Sequence, residues 1–93
     1  MSELFLRKEG GEYFIYLLGK NGEPRSNVNI KIKVMHRKFI KFGEVNEVLT
    51  TDKEGKVKLG HLKGCLGLNA NVSLYNIDNN WMLYMNDEEI TYP

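Results

Sequence analysis

Val28-Asn29-Ile30-Lys31-Ile32-Lys33-Val34 places an apolar, β-branched side chain at every second position and Asn or Lys between them. An extended chain points successive side chains to opposite sides, so the segment has one dry face and one wet face. A helix would need its apolar residues three and four apart. β-Branched side chains suit a packed, pleated surface, and here they fill the whole inner face. The segment therefore reads as a strand, and as a central one. The run Leu68-Asn69-Ala70-Asn71-Val72-Ser73-Leu74 repeats the pattern further on.

Working outward, turn residues divide the chain at short intervals. Gly10-Gly11 separates 4–8 from 13–18, and Lys20-Asn21-Gly22-Glu23-Pro24 carries Asn-Gly, which tolerates positive φ. Asp52-Lys53-Glu54-Gly55 turns the chain before Lys56–Leu59. Breaks are also expected at Lys63–Gly67 and Asn76–Asn80. These marks predict strands over 4–8, 13–18, 28–38, 45–51, 56–60, 68–75 and 81–85. The fold class is then all-β, a roughly seven-stranded antiparallel sandwich. Periodicity alone does not separate it from a partly closed barrel. The expected core is Leu4 and Leu6, then Val28, Ile30, Ile32 and Val34, with Val48, Val57 and Leu59, and finally Leu68, Ala70, Val72 and Leu74.

The chain has 93 residues, enough for one domain over 1–86, with 87–93 a polar tail or the start of a linker. A chain of this size buries one thin core and leaves little room for a deep pocket. Its net charge of +1 provides no global field toward nucleic acid or an acidic membrane. No apolar run is long enough to cross a bilayer as a helix. A lone cysteine, Cys65, excludes an internal disulfide.

Three stretches together carry a family likeness: Gly19-Lys20-Asn21-Gly22-Glu23-Pro24, Val28 to Val34, and Leu49-Thr50-Thr51-Asp52-Lys53-Glu54-Gly55-Lys56-Val57-Lys58-Leu59. The pattern resembles macroglobulin-type and prealbumin-like immunoglobulin-like β-sandwich modules, and is also similar to bacterial adhesin repeat domains. It spans somewhat over half the chain. The resemblance implies a non-enzymatic structural or interaction module within a larger multidomain protein. Its implied partners are neighbouring domains or another protein; no cofactor is expected, and the thin core argues against a small-molecule ligand. The long basic stretch Met35–Phe42 departs from the pattern. The adhesin likeness would also allow a Lys8–Asn86 crosslink, although no first-strand signature singles that pair out.

Few residues invite chemistry. A zinc site needs three or four ligands, and His36, His61 and Cys65 do not form such a set in sequence. Asp52, Glu54 and Asp78 lack the spacing of a calcium loop. Lys31, Lys33, Arg37, Lys38 and Lys41 form an acid-free basic segment interleaved with Phe39 and Phe42. Such a segment can grip an anionic partner, nucleic acid or acidic polysaccharide. On an alternating strand the same lysines also serve as a solvated outer face. Trp81, near Tyr75 and Tyr84, is a candidate for stacking on carbohydrate, although a single tryptophan in a small sandwich is more often a core plug. Asn71-Val72-Ser73 is a formal glycosylation sequon. No catalytic, metal-binding or cofactor-binding residue is expected.

Overall fold

In the computed structural model residues 2–38, 41–62 and 64–83 are described; of residues 37, 38 and 41–43 only the backbone is described. Seven strands follow in chain order: β1 Ser2–Glu9, β2 Glu12–Gly19, β3 Asn29–Lys38, β4 Lys41–Thr50, β5 Lys56–Gly60, β6 Cys65–Val72 and β7 Ile77–Met82. They form a three-stranded sheet, β1-β2-β5, and a four-stranded sheet, β4-β3-β6-β7. All pairings are antiparallel. The molecule is a β-sandwich and not a closed barrel. The chain changes sheet between β2 and β3, between β4 and β5, and between β5 and β6. The β-branched strand β3 lies inside its sheet, between β4 and β6, as its apolar inner face requires.

The core fills the space between the sheets. Leu4, Ile15, Leu17 and Val57 meet Ile30, Ile32, Leu68, Ala70 and Val72 there, all buried. Burying a branched side chain of this size contributes roughly 1.5–3 kcal/mol. Leu6, Val34, Leu59 and Trp81 pack partly buried around them. Tyr13, Ile15 and Leu17 join the core although period two could not select them, because Tyr13–Leu18 is apolar at every position.

Two expected core residues lie outside. Val48 is exposed because β4 pairs with Leu49 opposite Ile30, which turns Val48 outward beside Lys31. A one-residue change of register exchanges the faces. Leu74 is exposed because β6 stops at Val72 and a 3-10 turn, Ser73–Tyr75, follows. The turn sends Leu74 out and packs Tyr75 against the core. Asn76 then takes a left-handed conformation (φ 58°), and β7 starts at once at Ile77. The expected break at Asn76–Asn80 is thus mostly strand, and Cys65–Gly67 belongs to β6. The tail 87–93, Asn86 and Tyr84 lie outside the described residues.

One end of the sandwich is tightly tied. The buried Thr51 hydroxyl accepts from Val28 N (2.9 Å) and donates to Arg25 O (2.7 Å). Gly55 has φ +76°, and a Cβ there would sit 2.7 Å from Leu17 O. Leu17 N donates to Gly55 O at 2.7 Å, so the approach is itself a hydrogen bond. Only glycine fits that combination of angle and distance.

Candidate functional site

The inward side chains of β3 are Ile30 and Ile32, so Asn29, Lys31, Lys33 and Met35 point away from the core. Register extends these outward positions across the sheet as rungs. Val48, Lys31, Asn71 and Asp78 form one. Asn46, Lys33, Asn69 and Asn80 form the next, and Glu44, Met35, Gly67 and Met82 the one beyond. At the other end Thr50 stands opposite Asn29 and donates to its side-chain oxygen at 2.7 Å.

This face keeps large apolar groups in water. Among the described residues, the exposed large hydrophobics are Phe5, Met35, Val45, Val48, Leu74 and Met82. Four of them belong here: Met35 at 46%, Val48 at 59%, Leu74 at 71% and Met82 at 56% exposure. Isolated exposed apolar residues need no explanation, but a cluster on one face does. They frame two open hollows. The first, about 650 Å³, lies between Val48 and Leu74, with Lys31, Asn29 and Asn71 lining it. The second, about 400 Å³, lies around Met35, Met82 and Gly67. A Cβ on Gly67 would come within 3.8 Å of the Met35 methyl group, so the missing side chain shapes that floor.

Polar groups between the hollows are mostly committed to each other. The Asn69 side-chain nitrogen donates to Asp78 Oδ1 (2.9 Å), Asn80 Oδ1 (2.8 Å) and Asn79 O (3.2 Å). The Lys33 ammonium lies 3.9 Å from a Glu44 oxygen. Lys31 has no ion-pair partner among the described residues. The Asn29 and Asn71 oxygens accept from Thr50 and Ser73, which leaves their amide nitrogens as open donors. The first hollow therefore offers a cation and amide N–H groups.

The candidate residues from the sequence divide as follows. Lys31 and Lys33 share this exposed face. Arg37, Lys38 and Lys41 belong to the β3–β4 hairpin, where Arg37 pairs with Phe42 and Lys38 with Lys41, and their side chains lie outside the description. Trp81 stands opposite Leu68, on the core side of β7, and packs partly buried against the core. Asn71 of the sequon sits in the middle of the face, where a glycan would cover the first hollow. The Asn and Met residues of the face escaped sequence reading. Their outward positions on β3 and β6 follow from alternation, but their assembly depends on the register of four strands.

Other groups are structurally occupied. Burial pushes the Cys65 thiol above its ordinary pKa, and the thiol donates to Gly67 O at 3.1 Å. A buried neutral thiol is a poor nucleophile. His61 lies 3.9 Å from Glu12, which also meets Lys58 at 3.5 Å. Among the described residues no three His, Cys, Asp or Glu side chains gather as a metal site. Comparison with protein-family models, curated proteins and solved structures gives no match for this chain.

Proposed function

We propose that the chain is a non-catalytic, immunoglobulin-like interaction module of a larger protein, and that it makes contact through the outer face of its four-stranded sheet. The observation that carries this is the gathering of Met35, Val48, Leu74 and Met82 in solvent on one face. Apolar patches rimmed by polar groups mark contact surfaces. The strand order β1-β2-β5 against β4-β3-β6-β7 supports the sandwich-module side of the proposal. A photo-crosslinking amino acid at Val48 tests it against one at Glu3, on the opposite sheet. Adducts with a protein formed from position 48 and not from position 3 are expected. Adducts formed equally from both, or only from position 3, would overturn the assignment of the face.

Binding of an anionic polymer is the alternative, favoured by the shared exposure of Lys31 and Lys33. Glu44 beside Lys33 and Asp78 beside Asn71 weaken it, because both would repel a phosphate or sulfate chain. Heparin affinity should then be weak and without a steep salt slope. A steep slope, lost with Lys31→Ala and Lys33→Ala, would promote the polymer over the protein partner.

A further inference from the structure

Strand β1 lies at the edge of its sheet, and among the described residues it pairs with β2 alone. One residue of β2 fixes which backbone groups of β1 are open. Leu17 lies opposite Leu4, yet its N–H donates to Gly55 O and its C=O accepts from Arg25 N, both away from β1. Leu4 therefore stands at a non-hydrogen-bonded position of the β1–β2 ladder, and its own N–H and C=O point to the open edge. Alternation turns those of Ser2, Leu6 and Lys8 the same way. Such a row of donors and acceptors is a template for another strand. The usual guards are missing from it. β1 has no proline, its register with β2 runs unbroken, and its inward residues Ser2, Leu4 and Leu6 carry no charge.

The side chains decide which strand fits. Glu3, Phe5 and Arg7 stand outward along β1 and are all exposed, Phe5 at 41%. Arg7 rests over the Tyr16 ring, but neither it nor Glu3 has an ion-pair partner among the described residues. An antiparallel second copy related by a two-fold axis at Phe5 sets Glu3 opposite the second copy's Arg7, and Arg7 opposite its Glu3. Phe5 then covers its own equivalent, and Leu4 meets Leu6 on the core side. The backbone agrees with this register. Leu4 and Leu6, both open to the edge, would exchange hydrogen bonds across the boundary. Phe5 would occupy the non-hydrogen-bonded pair on the axis, where side chains come closest. Moving the axis to Leu6 sets Glu3 against Glu9 and Leu4 against Lys8, and moving it to Leu4 separates Glu3 from Arg7.

The other three edges lack this complementarity. Self-pairing of β5 about Val57 sets Lys56 against Lys58, and β7 has Asp78 as its one charge. On β4 the register that brings Lys41 opposite Glu47 sets Glu44 against itself.

We infer that the chain pairs with a second copy of itself through β1, antiparallel about a two-fold axis at Phe5, joining two three-stranded sheets into one. A two-fold contact of this kind is closed and stops at the dimer. It uses a different surface from the proposed interaction face and stands independently of it.

Sedimentation velocity of the full chain from micromolar to millimolar concentration should shift from one chain mass to two. Glu3→Arg and Arg7→Glu each set like charges against each other at both ends of the contact, and each should raise the dissociation constant about tenfold. Mixed in equal amounts, the two variants complement each other, and heterodimers should form as tightly as the wild-type dimer. Hydrogen exchange of the wild type needs no variant. The Leu4 and Leu6 amides should exchange quickly when the chain is dilute and slow as it dimerises, while those of Phe5 and Arg7, bonded to β2, stay protected throughout. A single chain mass up to millimolar concentration, dimers indifferent to the charge swaps, or a mixture that stays monomeric would overturn the inference. So would Leu4 and Leu6 amides protected in the monomer, which would mean that the edge is covered within the chain. A self-adduct from a crosslinker at position 3 has twice the chain mass, which separates it from adducts with another protein that test the outer face.

Discussion

The outer faces of the two sheets are built from different chemistry. On the three-stranded sheet, Phe5 lies opposite Tyr16 and Arg7 opposite Phe14, with Lys56 and Lys58 completing the rows from β5. Cations sit over the rings: Arg7 at 5.8 Å from Tyr16 and Lys56 at 5.2 Å from Phe14. Lysine and arginine stems shield apolar surface while their charged ends remain wet, so the rings of Tyr16 and Phe14 are covered and Phe5 keeps 41% exposure. On the four-stranded sheet the rungs beside Lys31 and Lys33 carry amides, and among the described residues no cation–ring pair covers Val48 and Leu74. Among the described residues, one face exposes a single large hydrophobic, Phe5, while the other leaves Met35, Val48, Leu74 and Met82 exposed and Lys31 without an ion-pair partner. That difference, more than any single residue, identifies the surface available for a partner.

The largest expected effect lies between the faces. Ile30→Ala, at full burial, should cost on the order of 2–5 kcal/mol in a denaturant titration. Lys31→Ala, its chain neighbour on the open face, should stay within about 0.5 kcal/mol. Equal losses would mean that the two faces of β3 are not distinct. Next comes the turn that seats β5 in the closed sheet. Gly55→Ala forces a Cβ against Leu17 O at a positive φ and should cost about 1–3 kcal/mol by thermal melting. A neutral result there would remove the close approach from the account.

Smaller effects sharpen the contrast directly. Tyr16→Ala removes a ring packed between Phe5 and Lys56 and should cost roughly 1 kcal/mol. Met82→Ser, on the open face, should stay within about 0.5 kcal/mol. If the order of the two were reversed, the open face would be the one that supports the fold. The smallest effect has a pH signature. Backbone N–H groups of Lys56 and Glu54 donate to Asp52 and hold its carboxyl below its ordinary value of 3.8. A folded-state pKa below the unfolded one gives stability that is present above about 3.8 and lost as pH falls through the folded value. The gap in unfolding midpoint between the wild type and Asp52→Ala should therefore be open at neutral pH and narrow below pH 3.8. A gap unchanged down to strong acid would exclude a role for the ionised carboxylate.

The fold was legible where a local pattern has one physical cause. Val28 to Val34 announces a central strand through alternation alone, and Asp52–Gly55 announces its turn through Gly55 and the Asp52 side chain. Legibility failed where the outcome depends on distant pairing. Val48 and Leu49 are both good inward residues, and only the pairing of Leu49 with Ile30 chooses between them. The alternation through Leu74 is broken by a 3-10 turn that no local signal demands. The candidate face was harder still. The segment from Lys31 to Lys41 reads as uniformly basic in sequence, yet Lys33 meets Glu44 from a paired strand. Asparagine and methionine on a strand look like neutral filler until register places them in adjoining rungs.

The central claim is that Met35, Val48, Leu74 and Met82 are exposed for contact and not for the stability of the fold. Replacing all four with Ser and measuring equilibrium unfolding tests this most directly. The account predicts cooperative unfolding with a total loss no greater than about 2 kcal/mol, four surface changes of about 0.5 kcal/mol each. A loss well beyond that total, or a non-cooperative transition, would show that these side chains hold the sandwich together and would contradict the claim.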